Sequence, residues 1–277
     1  EAKSSLAGLV QTEPGNLDAR YYFALASAGQ GKSAEAATLL REGSRQEPEN
    51  ARWAVALSAV ASRAGRLQDA RQELETALAK TKQPEALLER LANVQIQMKD
   101  GAGARKSFEQ LLRSVPQSFE YQLGLAGAIA LAGDRPGALQ SYAKLQQVKR
   151  DDLRVWLQPA ALLGEMGRDQ EARLAYEEAL RLDRDNPFAL NNLAWLLLRR
   201  NENPQQALEL AQRARQKVRQ SPEVDGTLAE AYTRLAMNRS AEAIYEEMLS
   251  YLPDSDKPRI EKLMLSVKKK TGKDGNS

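Results

Sequence analysis

Residues 153–186 read LRVWLQPAALLGEMGRDQEARLAYEEALRLDRDN, and this stretch decides the fold. Apolar residues recur at helical spacing on either side of Gly167, so the stretch predicts two short amphipathic helices joined by a glycine turn. Neither helix can bury its apolar face alone. An internal period is therefore sought before any segment is read by itself.

The same pair recurs along the chain at a spacing of 34. Small residues stand at the eighth place of each unit: Ala24, Ser58, Ala92, Ala126, Ala160, Ala194 and Ala229. Alanines stand at the twentieth: Ala36, Ala70, Ala104, Ala138, Ala172, Ala207 and Ala241. Four residues further on come Leu40, Leu74, Phe108, Tyr142, Tyr176, Ala211 and Tyr245, with Ala211 the one small member. Turn glycines are Gly31, Gly65, Gly133 and Gly167, and loop prolines Pro48, Pro116 and Pro253 close units. Seven units follow: 17–50, 51–84, 85–118, 119–152, 153–186, 187–221 and 222–255.

This pattern resembles the tetratricopeptide repeat over about nine tenths of the chain. The resemblance implies an all-α, right-handed superhelical solenoid of antiparallel helix pairs. First helices would line an inner surface and second helices the outer one.

The flanks are read in the same register. Residues 1–16 place Ala2 and Leu6 on the alanine and large-apolar places, as the second helix of a truncated preceding repeat. The chain is thus expected to be covalently continuous with missing N-terminal repeats; the alternative reading is a single N-terminal capping helix on a processed protein. Residues 256–270 form a capping helix with a stripe of Ile260, Leu263, Met264 and Val267, and residues 271–277 are expected to be disordered. Within the array, the turn at Lys99–Asp100–Gly101 has its glycine displaced and is expected to be shaped differently, and Asn238 is expected to replace the missing glycine of the last turn. Pro159 falls inside a first helix and predicts a late start or a bend.

Composition narrows the chemistry. The chain has 277 residues, a net charge of +3 and 42% hydrophobic residues. That balance is enough for a continuous apolar seam and does not mark a nucleic-acid binder by bulk charge. Cysteine and histidine are both absent. Disulfides, thiolate or imidazole metal sites and histidine-based nucleophilic chemistry are therefore excluded. No apolar run is long enough to span a membrane. No cofactor or metal is expected. The carboxylate pairs Glu177–Glu178 and Glu246–Glu247 fall on outer faces and read as solvated charge.

What remains is binding. The resemblance implies a non-catalytic scaffold that holds a peptide or partner protein in its groove. Inner places put Asn93 and Asn191 where an amide can both donate to and accept from a peptide backbone. Arg52, Arg63 and Arg154 can hold a carboxylate in a fork. The family's carboxylate clamp needs lysine where Glu89 stands, so that clamp is not expected. The sixth unit is the leading candidate, because Phe188, Asn191, Trp195 and Arg199 combine aromatic and arginine anchors with a polar edge. The other reading of Trp195 is a packing residue between first helices, the role expected of Trp53 and Trp156.

The runs NNLAWLLL and SPEVDGTLAEAY resemble repeats of long bacterial proteins of exopolysaccharide synthesis and export. That likeness raises envelope or polysaccharide machinery as a partner and puts the periplasm or envelope ahead of the cytoplasm. The non-catalytic arm of a larger enzyme, or a groove contacting an anionic polysaccharide directly, are the alternatives.

Overall fold

The computed structural model describes the backbone of residues 2–274 and the side-chain surroundings of residues 6–269. Among the described residues there are sixteen helices and no strand. The chain divides into two compact units, residues 1–141 and 142–277. The first contains α1 (Ala2–Thr12), α2 (Leu17–Gly29), α3 (Ser33–Gln46), α4 (Ala51–Arg63), α5 (Leu67–Leu78), α6 (Glu85–Gln97), α7 (Gly101–Ser114) and α8 (Phe119–Leu131). The boundary falls within α9 (Arg135–Val148). The second contains α10 (Arg154–Glu165), α11 (Asp169–Leu182), α12 (Pro187–Arg199), α13 (Pro204–Lys217), α14 (Pro222–Arg234), α15 (Asn238–Tyr251) and α16 (Lys257–Asp274). The result is an all-α solenoid of helix pairs.

Helix starts follow from capping chemistry. Asn16, Asn50, Ser118, Asn186 and Ser221 each precede a first helix and accept a hydrogen bond from a backbone N–H of its first turn. These bonds satisfy donors that have no partner within the helix. Pro187, Pro204 and Pro222 occupy first-turn positions where a missing N–H costs nothing.

Between the two helices of a pair the chain turns at a left-handed residue. Gly31, Gly65, Gly133 and Gly167 take φ of 80, 72, 95 and 72°. Where glycine is missing the geometry persists: Lys99, Asn201 and Ala236 occupy the same fifteenth place with φ of 60, 55 and 56°. Two expectations are corrected here. The third turn is not reshaped by its displaced glycine, because Lys99 itself adopts the left-handed conformation. In the last turn the residue that does so is Ala236, while Asn238 begins α15. Gly101 has a different role. A Cβ there would collide with the backbone at Leu131 and Ala132, so its bareness lets α7 approach the end of α8.

Packing explains the period. Ser58 and every alanine at the eighth and twentieth places are 0% exposed. Small side chains there let helix backbones approach, and the large residues four places on fill the space around them. Bulk and bareness also match across neighbouring repeats. A Cβ on Gly43 would run into the ring of Trp53, and one on Gly124 into the ring of Phe108. Trp53 is fully buried and donates Nε1–H to Glu47 at 2.8 Å, the packing role expected of it. Trp156 is only half-buried, and its Nε1–H donates to the Arg150 carbonyl at 2.9 Å.

Each second helix packs on the next first helix within its unit. First helices of adjacent repeats also touch, as in α2 with α4, α4 with α6, α10 with α12 and α12 with α14. Second helices of adjacent repeats meet through ion pairs between long side chains, such as Arg41–Glu73 and Arg215–Glu247. The first helices are therefore the closer-set layer.

Pro159 neither delays nor truncates its helix: α10 runs through it from Arg154. The final helix also runs further than the sequence reading. Residues 271–274, expected to be disordered, are helical, and residues 275–277 lie outside the described residues. Ile260 and Val267 of α16 are buried as the stripe predicts, but Leu263 is 40% exposed. Among the described residues no helix is long and apolar enough to cross a membrane.

Candidate functional site

The sequence candidates separate by unit. Arg52, Arg63 and Asn93 belong to the first. Arg154, Phe188, Asn191, Trp195 and Arg199 belong to the second.

In the first unit the arginine fork of Arg52 is already engaged. Its guanidinium pairs with Asp18 and with Glu47, the latter at 2.9 Å. It also lies over the Tyr21 and Trp53 rings, at 5.3 and 4.7 Å from their centroids. Burial lowers the Arg52 pKa, but the hydrogen bonds and charges of Asp18 and Glu47 outweigh it and hold it above its ordinary value. Glu47 is correspondingly held below the usual carboxylate range, chiefly by the Trp53 hydrogen bond. Arg63 and Asn93 are exposed. The charge of Arg63 adds to burial in lowering the pKa of Arg90, which hydrogen-bonds Ser58 at 3.1 Å. Glu89, the residue that replaces the clamp lysine, faces the Tyr121 hydroxyl at 3.4 Å.

In the second unit Arg154 closes on its own helix start. Nε and Nη2 donate to Asp152 at 3.0 and 2.7 Å, and the Asp152 pKa is lowered mainly by that bond. Arg52 and Arg154 thus serve as internal ties. The residues on α12 behave differently. Asn191 is buried and its Oδ1 has no hydrogen-bond donor, so the amide does not face solvent as the sequence reading required. Phe188 is 70% exposed and Trp195 45% exposed. The Arg199 guanidinium lies 4.3 Å from the Trp195 ring centroid. Arg199 is itself held by Asp169 and by the Gly164 carbonyl. One turn of helix separates Trp195 from Arg199, which is what brings ring and guanidinium together.

Trp195 forms one wall of a groove of about 690 Å³. Gly226 and Thr227 of α14 line it. Tyr245 and Met248 of α15 and Leu252 just after it, with Ile260 and Leu263 of α16, contribute the apolar surface. At Gly226 an added Cβ would meet nothing within 4 Å, so the missing side chain leaves open space. Glu223, Glu230, Asp256 and Arg259 bring charge to the lining. Apolar walls with a few polar groups at the edge are the usual makeup of a binding groove. Of this lining only Trp195 was a binding candidate from the sequence; Gly226 and Leu263 are among the parts it missed. Gly226, a glycine inside a predicted helix, was the available signal. Leu263 was assigned to the capping stripe, and only the fold turns it outward.

Among the described residues no cluster of acidic side chains is arranged to hold a metal ion. The outer carboxylates are in ion pairs: Glu177 with Arg173, Glu178 with Arg181, Glu246 with Lys268 and Glu247 with Arg215.

Family models described as tetratricopeptide repeat match residues 1–61, 61–129 and 198–265, and two further ones match 153–186 and 175–209. This chain belongs to the tetratricopeptide repeat family. Proteins of that family generally mediate protein–protein interaction, typically without catalysis. Among solved structures, it is similar to a tetratricopeptide repeat protein from Parabacteroides merdae, with 16% identity and a TM-score of 0.69 over 91% of this chain and 98% of that one. It is also similar to yeast Tom70, with 13% identity and a TM-score of 0.70 over 97% of this chain and 58% of that one. A third likeness is to the Cut9–Hcn1 hetero-tetramer of the APC/C, with 14% identity and a TM-score of 0.65 over 96% of this chain and 52% of that one. At these identities the likeness establishes the fold. No curated protein matches the chain by sequence. These matches carry the repeat family and lend nothing to the exopolysaccharide resemblance.

Proposed function

We propose that this member of the tetratricopeptide repeat family is a non-catalytic interaction module, and that it seats a peptide segment of a partner protein in the groove between Trp195, Gly226 and Leu263. The observation that carries this reading is the fixed indole beside an open floor. Arg199, tied to Asp169, holds the Trp195 ring, while Gly226 leaves room for an incoming side chain. A preorganised aromatic beside a vacant apolar slot is the arrangement that concentrates binding energy, because little ordering remains to be done on association. Phe188 extends the apolar surface of α12. An envelope or exopolysaccharide setting rests on the NNLAWLLL and SPEVDGTLAEAY runs alone.

The test is capture from envelope and cytosolic extracts, combined with cross-linking, using the intact chain beside Trp195→Ala and Gly226→Trp. The expected result is a partner that cross-links to α14 or α16 of the intact chain and is lost from both variants. A partner retained equally by all three would move the site elsewhere.

A further inference from the structure

The rim of the groove carries its own information about the occupant. Three carboxylates, Glu223, Glu230 and Asp256, border it against one cation, Arg259. Glu230 is neutralised by Arg234, whose Nε donates to it at 2.7 Å. Glu223 accepts only from a hydroxyl, that of Ser221, at 2.9 Å. Asp256 faces the Ser255 hydroxyl at 3.4 Å. Among the described residues neither Glu223 nor Asp256 is in an ion pair, and both are exposed at the end of the groove where α14 begins and α16 follows. What sets these two apart is their place: both border the groove, where their charge is open to an occupant.

We infer that the occupant of this groove is a peptide segment that combines a bulky apolar anchor with a lysine or arginine beside it. The inference rests on the peptide-groove reading above and adds the partner's chemistry to it. The anchor enters over Gly226, between Trp195 and Leu263. The basic side chain reaches Glu223 and Asp256. Apolar contact supplies the affinity, and the unpaired carboxylates select against acidic segments, since like charges brought to one rim repel. An acidic segment would find only Arg259 to meet it.

The experiment is selection of a random twelve-residue peptide library on phage against the immobilised 277-residue chain, followed by affinity measurement on the synthesised winners. The enriched sequences are expected to hold an aromatic or aliphatic anchor with Lys or Arg. Gly226→Trp, which fills the floor from an open helical position, should abolish their binding. The double variant Glu223→Gln, Asp256→Asn keeps the shape and hydrogen-bonding capacity of both side chains. It should weaken the peptides at least fivefold and flatten their salt dependence, with the helical circular dichroism unchanged. Enrichment of neutral or acidic peptides that Gly226→Trp still abolishes would overturn the basic class and leave the groove reading standing. Peptides that survive Gly226→Trp, or no enrichment at all, would overturn both.

Discussion

The side-chain amide of Gln146 donates to the backbone carbonyl of Val155 at 2.9 Å. Val155 lies four residues before Pro159, so its carbonyl is the one that proline leaves without a helical donor. Gln146, on the preceding helix, supplies the missing hydrogen. In the same place Gln158 accepts from the Tyr142 hydroxyl at 2.8 Å. This is why α10 continues through a proline. Gln146→Ala should destabilise the second unit by about 1–2 kcal/mol, the cost of a buried carbonyl left unpaired. In a Pro159→Ala background the same change should cost much less, because residue 159 regains its own N–H. Urea titrations of the four chains of that cycle would show the difference, and equal costs in both backgrounds would contradict the account.

Asp225 is 1% exposed and is the most buried charge among the described residues. It accepts from Arg215 Nε at 2.8 Å and from the Tyr251 hydroxyl at 2.6 Å, while Arg215 also reaches Glu247. The cluster joins α13, α14 and α15. Asp225→Ala strands both donors, and its expected cost is about 2–3 kcal/mol, below the value for a fully buried pair because Arg215 is partly solvated. Thermal melting would show the loss. Glu247→Ala, which removes only the exposed partner, should cost well under 1 kcal/mol.

Three tyrosines at the large-apolar place make the fold sensitive to alkali. Burial pushes Tyr142 and Tyr176 up to about 12, and pushes Tyr245 up as well. Burial and the Asp225 hydrogen bond raise Tyr251 in the same direction. A pKa raised in the folded state means that its stabilising contribution is complete below the unfolded value of about 10 and is lost as pH climbs through 12. Each of Tyr142 and Tyr176 then removes on the order of 3 kcal/mol. Unfolding should therefore set in between pH 10 and 12. Tyr142→Phe and Tyr176→Phe should each move the midpoint to higher pH, as read by ellipticity.

The fifteenth place of each unit predicts substitutions of opposite sign. Ala236→Gly should stabilise by about 1 kcal/mol, since a side chain at positive φ is strained there and glycine is not. Gly65→Ala should destabilise by a similar amount, because it introduces that strain where none exists. Paired thermal melts would show shifts in opposite directions.

Arg199 acts on binding through Trp195. Arg199→Ala removes both the cover on the indole ring and the tie to Asp169. A groove peptide should bind several-fold more weakly, mostly through faster dissociation, while Trp195→Ala should abolish binding. Surface-plasmon kinetics on the two variants would separate these effects. An Arg199→Ala chain that releases peptide at the intact rate would show that the stack does not preorganise the site.

The repeat, its register and the burial of its small residues were determined by the sequence itself. A residue that sits where two helices cross must be small in every copy, so the alanines at the eighth and twentieth places write the packing into the chain. Helix caps such as Asn186 and Ser221 are equally local, since each accepts from a backbone N–H three residues on. What the tertiary structure decided involves partners that the linear spacing does not bring together. It turned Arg52 and Arg154 into internal ties, buried Asn191, and carried Leu263 from the apparent cap stripe to the rim of a groove. It also gave Gly226 its meaning, because open space beside a helix depends on three other helices. Local periodicity specifies which face of each helix is buried. Only the placement of α12, α14, α15 and α16 within one unit specifies which exposed residues share a surface.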